Sequence, residues 1–401
     1  MQRRHHRIRF RFTKEMLKLP TPIKVVSITA FIYTLGWAII DPFFLIYLKK
    51  LFGDYTSVGV ITALLYIFAI VWSMPLGQLL NRVSGKFVIL LTLVMYFPLG
   101  YLLLALRTFT QFTILKLYNS FTAASLWISL EDYVREHSDK RKAYEAFGMF
   151  DTFCSLSYVI GPIIGALLLM KFGFNMFYVV SITSFLAFLI SLTLKDGKKE
   201  SILRGIKNVI KKDKIVRRGL SDFLRNKKLI KLEVMMSIYM FGISAMALLL
   251  PLFLKEHNAT YLQIGIIFSL YYLPLVSESY FSTLTRKKAL IRAALAASIT
   301  LLVLMFFTSS IMKLFILILS FSFCTAAIMS VLRGKLTNYM PRKEIGEMSG
   351  IEHTTKYVAI GLGLVMSGII ADAFGLRYIF LMVAAALMGL LLLSLKKGFK
   401  F

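Results

Sequence analysis

Twelve stretches of about 20 mostly apolar residues divide the chain, near 23–48, 58–80, 86–106, 109–130, 146–170, 174–195, 230–254, 261–283, 288–308, 311–333, 347–370 and 375–396. A helix needs about that length to cross the hydrocarbon of a bilayer. Backbone N–H and C=O groups find no water there, so each segment must satisfy them internally, as an α-helix does. The chain is 58% hydrophobic and 17% charged, where a soluble domain carries about 25% charged residues. So little polar material cannot cover so much apolar surface, and lipid is the solvent that resolves the excess. The expected fold is all-α, a polytopic membrane protein of twelve transmembrane helices. The run at 23–48 is too long for the apolar core of a signal peptide, and no small-residue cleavage site precedes it, so it reads as the first span.

The net charge of +28 raises the question of nucleic acid. The basic residues stand in short tracts between apolar runs, with no continuous basic face, and nucleic acid is excluded as a partner. Their placement sets a topology instead. Of 48 lysines and arginines, 39 fall in alternate segments that include both termini and 7 fall in the others, with Lys116 and Lys356 inside spans. Lysine and arginine accumulate on the cytoplasmic side, so both termini are expected in the cytoplasm, at an anionic leaflet of the cell membrane. Cys154 and Cys324 lie within apolar segments and histidine is scarce, so neither a disulfide framework nor a metal or cofactor site is expected. The sequence has no His-Glu-x-x-His, no His-x4-Asp and no Gly-x4-Gly-Lys-Ser/Thr. That argues against a membrane enzyme and a nucleotide-driven pump.

The two halves repeat. Gly59 matches Gly265 at an offset of 206, and Thr122-Ala123-Ala124 matches Thr325-Ala326-Ala327 at 203. Gly148, Gly161 and Phe172-Gly173 match Gly350, Gly363 and Phe374-Gly375 at 202, while Pro42-Phe43-Phe44-Leu45 matches Pro251-Leu252-Phe253-Leu254 at 209. Six crossings per half is an even number, so the repeats are parallel, an arrangement found in transporters that rock about a central site. The expected organisation is a basic tail at 1–21, a six-helix bundle at 22–195, a basic linker at 196–229, a second bundle at 230–396 and a tail at 397–401. Apolar residues in the linker recur at helical spacing, as in a helix lying on an anionic membrane surface or in a solvated tether.

Two motifs carry a resemblance to the major facilitator superfamily. After the second span stands Gly77-Gln78-Leu79-Leu80-Asn81-Arg82-Val83-Ser84-Gly85-Lys86, similar to the family's Gly-x-Leu-x-Asp-Arg-x-Gly-Arg-Lys. Gly77, Leu79, Arg82 and Lys86 match, whereas Asn81 replaces the acid that helps to lock the cytoplasmic side in that family. The fifth span carries Gly148, Ser157, Gly161-Pro162, Gly165 and Ala166, which resembles the small-residue motif of the family's drug/proton antiporters. Small residues let helices approach closely and a proline removes a backbone bond, so Gly161, Pro162 and Gly165 are expected at a domain interface. The second half keeps Gly363 but has Leu364 in place of the proline.

Ionisable groups inside spans are costly and mark function by default. Tyr33, Trp37 and Asp41 are spaced to share one helix face, and Lys116, Ser120, Ala123 and Trp127 form a matching stripe in the fourth span. The resemblance implies that the first, fourth, seventh and tenth helices line a central cavity. Asp41 and Lys116 would face each other there, either as a protonatable carboxylate beside a cation or as a static ion pair. Asp151, Asp132, Glu278, His353 and Lys356, with Gly77, Asn81 and Arg82, are expected at cytoplasmic gates. Asp151 would bond to Arg286 or Arg82, Glu278 would pair with Lys356, and Glu352 would compete for that lysine. Asp372 is expected to be solvated near the outside, and Tyr271, Tyr272 and Pro274 either edge the cavity or only pack. The expected function is that of a monomeric secondary transporter, a proton-coupled exporter of small amphipathic or cationic compounds. The alternative is uptake of a sugar or organic anion held by Lys116.

Overall fold

The computed structural model describes residues 19–80, 83–138, 143–195, 226–277, 288–339 and 345–395. Helices α1 (Thr21–Phe52), α2 (Tyr55–Leu80), α3 (Gly85–Tyr96), α4 (Leu99–Ala105), α5 (Phe109–His137), α6 (Ala143–Phe172) and α7 (Tyr178–Ser191) form the first half. The second half holds α8 (Lys227–Glu256), α9 (Tyr261–Tyr272), α10 (Lys288–Phe307), α11 (Ile311–Tyr339), α12 (Ile345–Phe374) and α13 (Tyr378–Leu395). The described residues contain no strand, and the described part of each of the twelve apolar segments is mostly helical.

Prolines explain the departures from continuous spans. The third segment breaks between α3 and α4 at Phe97-Pro98, because proline offers no N–H to the preceding turn. The eighth tightens into a 3₁₀ turn over Leu273–Ser277, which contains Pro274. Pro42, Pro162 and Pro251 stay inside unbroken helices. The linker and both tails lie outside the described residues, apart from 19–21 and 226–229.

Among the described residues nine stretches are long and apolar enough to cross a membrane, and one of them, Glu145–Ser191, holds both α6 and α7. Helix α9 is apolar but short, and α5 is long but too polar to qualify. The burial of α5 shows why it still fits. Lys116 is 4% exposed, Asn119 3% and Ser120 0%, while Ile114 is 64% exposed. This inverts a soluble helix, with polar groups turned inward and an aliphatic face turned out. Val71, Met170, Phe307 and Ile316 extend the outward apolar surface around the molecule. An exposed apolar belt of that kind needs lipid. The chain is a multi-pass membrane protein.

The repeat is visible in the packing. Within the halves, α6 closes on α1 and α12 on α8. Between the halves, α2 packs on α12 and α9 on α6, so the second crossing of each half meets the fifth crossing of the other. A Cβ on Gly59 would lie 2.5 Å from the Leu364 carbonyl oxygen, and a Cβ on Gly265 would lie 2.5 Å from that of Pro162. Gly59 and Gly265 are repeat partners, and so are Pro162 and Leu364, so the two crossings are copies of one contact. The turns after α6 and α12 are copies as well. Gly173 and Gly375 both have positive φ, 58° and 98°, a region that L side chains with a Cβ rarely enter.

Candidate functional site

A cavity of about 290 Å³ lies between the halves, with Asp41 and Pro42 of α1, Lys116 and Asn119 of α5, Ser244 of α8 and Phe268 of α9 among the groups that line it. Its size falls at the small end of ligand pockets. Tyr33, Trp37, Lys116, Asp41 and Trp127 all line it, as the spacing on α1 and α5 requires. The Tyr33 hydroxyl donates to that of Tyr96 at 2.8 Å. Trp127 meets the edge of Tyr33 at 6.4 Å between centroids, and Trp37 meets Tyr96 at 6.2 Å. The buried indole N–H of Trp37 finds no hydrogen-bond partner among the described residues. These rings form one aromatic wall.

Among the described residues Asp41 and Lys116 make no direct ion pair. Lys116 is the charged group that acts on Asp41, and they feel each other across space without direct contact. The Lys116 ammonium sits 4.8 Å from the centre of the Phe44 ring, a cation–π arrangement that holds it without neutralising it. One turn along α5, the buried amide oxygen of Asn119 has no hydrogen-bond partner among the described residues.

The seam between the halves supplies the other wall. Tyr66 of α2 stacks near Tyr357 of α12 at 5.8 Å, and Tyr158 of α6 near Tyr272 of α9 at 5.0 Å. All four tyrosines line the cavity, and Tyr272 does so where Tyr271 does not. Tyr66, Tyr158 and Tyr357 were not legible as site residues from aromatic content. The repeat held a signal, since Tyr66 and Tyr272 stand 206 apart, the offset of Gly59 and Gly265. Glu233 of α8 was also missed. It is buried at 3% exposure and accepts a hydrogen bond from Thr355 of α12 at 2.9 Å.

The small-residue stripe on α6 has two jobs. Ser157 donates to Thr34 of α1 at 2.6 Å, and a Cβ on Gly161 would lie 2.6 Å from that of Ala38. Gly165 faces the Ile39 carbonyl and the Phe43 ring. Ser157, Gly161 and Gly165 therefore close α6 on α1 inside the first half, rather than at the interface expected for the two glycines. Pro162 and Ala166, on the adjoining face, meet Gly265 of the second half.

Of the expected gate residues, Asn81, Arg82 and Glu278 lie outside the described residues, as does Arg286. Gly77 is within α2, and Asp132 is half-buried on α5. His353 and Lys356 are half-buried on α12, the His353 ring 5.8 Å from Tyr357. Asp151 is exposed and lies within electrostatic reach of Arg333 of the second half.

A bonded cluster stands at the opposite end, which carries Gly53, Thr260 and Gly375. Asp372 of α12 accepts from the Tyr55 and Thr56 backbone N–H groups at 2.9 and 2.7 Å and from the Thr56 hydroxyl at 2.6 Å. Asp54 accepts from the Ser57 N–H at 2.5 Å. The start of α2 is thus capped partly by the other half of the protein. The Tyr55 hydroxyl also donates to Glu256 of the second half, and Lys49 lies 3.4 Å from the centre of the Tyr55 ring. Asp372 is exposed, as expected for a solvated group, but it is a trans-cap rather than a free charge. Removing an N-cap side chain costs about 1 kcal/mol. Asp372→Ala is therefore expected to shift the balance of this end about fivefold toward an open state. Pulsed electron resonance between spin labels at Lys171 and Lys313 reads the shift; an unchanged distance distribution would mean that the cap does not hold the halves.

Comparison with known proteins completes the description. The sequence signature of the Major Facilitator Superfamily matches residues 26–276 and 234–397. The chain belongs to the major facilitator superfamily. It is 24% identical over 369 residues to the uncharacterized MFS-type transporter MJ1560 of Methanocaldococcus jannaschii, covering 90% of this chain and 94% of that one. It is 20% identical over 389 residues to the quinolone resistance protein NorA of Staphylococcus aureus, covering 94% of this chain and 96% of NorA. Its fold is similar to the crystal structure of a bacterial homologue of the human lysosomal transporter Spinster, solved in an inward-facing and occupied conformation. That match has a TM-score of 0.74 at 12% identity, over 92% of this chain and 94% of that one. This superfamily member is a transporter and not an enzyme.

Proposed function

We propose that this protein is a monomeric, proton-coupled exporter of small amphipathic or cationic compounds, working by alternating access in the cell membrane with both termini in the cytoplasm. The observation that carries the reading is Asp41, a carboxylate set in an aromatic cavity at the seam of the halves, with no ion pair from a described residue closing it off. A carboxylate so placed can hold either a proton or a cation, but not both, and that exclusion couples the two fluxes. The similarity to NorA, whose name records resistance to quinolones, supports export. In this orientation the Gly53 end faces outside, and the crossings at Gly59 and Gly265 with the Asp372 cap support a state closed on that side. Rocking the halves would part these contacts and open the cavity outward.

The test is proton flux in proteoliposomes under an imposed pH gradient, with a panel of lipophilic cations added to wild type and to Asp41→Asn. Cations should evoke proton movement in wild type, and Asp41→Asn should reduce it to the level of protein-free vesicles. Flux in the variant equal to wild type would leave Asp41 a structural residue. A second reading, uptake of an organic anion, is favoured by the buried Lys116 with no carboxylate against it. Under that reading Lys116→Glu abolishes anion uptake, whereas under the first it only perturbs cation export.

A further inference from the structure

The cavity has two poles of opposite character. On α1 stands Asp41, which accepts no hydrogen bond from a described residue and whose charged neighbour is Lys116. On α5 stands Lys116, 4% exposed, with the Phe44 ring alone among the described residues against its ammonium. Asn119, one turn on, adds an amide oxygen that lacks a partner. All three line the same space. Buried charges held apart in this way are costly, and so are buried acceptors left unpaired. No described residue completes them, so the complement is sought in what enters the cavity.

Each simple class of substrate completes only one pole. A cation at Asp41 leaves Lys116 unneutralised and adds a second positive charge to a small, poorly hydrated space. An anion at Lys116 strands Asp41 in the same way. We infer that the cavity recognises an aromatic zwitterion, its ammonium on Asp41 and its carboxylate on Lys116, with the planar ring lodged against the tyrosine and tryptophan walls. This rests on the transport reading above and narrows its substrate class. The substrate's N–H groups would also reach an acceptor of the Asn119 kind, which a carboxylate alone would not use. The ring has two sets of faces available, Tyr33, Trp37 and Trp127 on one side and the Tyr66/Tyr357 and Tyr158/Tyr272 pairs across the seam. Because the second set spans the halves, an inserted ring would touch both of them at once. The volume of about 290 Å³ suits one ring system with a short charged side chain. Bridging two charges that are near but not in contact suits ammonium and carboxylate groups on one carbon or a few bonds apart.

Three compounds of one skeleton test the inference, namely tryptophan as the zwitterion, its methyl ester as the cation and N-acetyltryptophan as the anion. Binding to the purified full chain is measured by calorimetry, and proton movement in proteoliposomes is followed alongside. Tryptophan is expected to bind wild type about tenfold or more tightly than either analogue, the scale of one charged hydrogen-bonded contact. Lys116→Met should bring tryptophan down to the level of the ester, and Asp41→Asn down to the level of the N-acetyl acid. A shared loss of all binding in both variants is separated from misfolding by their thermal unfolding, and in a folded protein it would overturn the two-pole assignment. An ester that binds wild type as well as tryptophan does, or no binding by any of the three, also overturns it. If the ester or the lipophilic cations still drive proton movement while tryptophan does not, the exporter reading stands and the zwitterion inference fails. If tryptophan binds with the predicted pattern but no compound moves protons, the recognition stands and proton coupling fails.

Discussion

Gly265→Ala is expected to leave the protein folded but unable to close its Gly53 end, with transport falling about tenfold or more, the scale of a lost conformational step. The added Cβ would stand 2.5 Å from the Pro162 carbonyl oxygen and 3.0 Å from the Ala166 Cβ. Neither is the far end of a flexible side chain, so the helices themselves must part. The three nearest atoms all lie on α6 of the opposite half, so the clash falls between the halves. Gly59→Ala should act alike, since its Cβ would meet the Leu364 carbonyl at the same 2.5 Å. Spin labels at Lys171 and Lys313 should report a longer distance in either variant, with thermal unfolding near that of wild type. Normal transport with an unchanged distance would show that these crossings do not govern closure.

Gly165→Leu should have the opposite signature. Its Cβ would overlap the Ile39 carbonyl and lie 2.9 Å from the Phe43 ring, both on α1 of the same half. Under the rocking motion proposed above, α1 and α6 of one half move together, so the contact has no second state in which it is relieved. Overpacking a tight contact costs about 1–3 kcal/mol, and here backbone as well as side chain must yield. The variant is expected to accumulate poorly in the membrane and to unfold at a clearly lower temperature in detergent. Wild-type thermal stability would mean that α1 and α6 can separate without loss. The pair of predictions distinguishes two uses of glycine on neighbouring helix faces, one holding a bundle together and one letting two bundles meet.

Much of the architecture was legible in the amino-acid order alone. Lipid imposes a length and an internal hydrogen-bonding rule on each span, so apolar runs translate directly into helices. The helical period then placed Tyr33, Trp37 and Asp41 on one face, as it did Lys116 and Trp127, and the structure sets all five around one cavity. The internal repeat foretold that Gly59 and Gly265 would do equivalent work. The apolar runs did not show where helices break, at Pro98 and near Pro274.

What the order of residues did not determine was which faces meet across the two halves. Tyr66, Tyr158 and Tyr357 belong to three helices far apart in sequence, and an aromatic residue in a span looks the same whether it faces lipid, core or cavity. The stripe on α6 read as one interface, yet Gly161 and Gly165 close on α1 while Pro162 meets α9, a division set by about a quarter-turn of the helix. Asp372 read as a solvated charge, and its role as a cap depends on α2 beginning beside it, 317 residues away from Tyr55 in the chain. Periodicity reports on one helix at a time. Pairing, capping and the separation of Asp41 from Lys116 are relations between helices, and only the packed tertiary structure decides them.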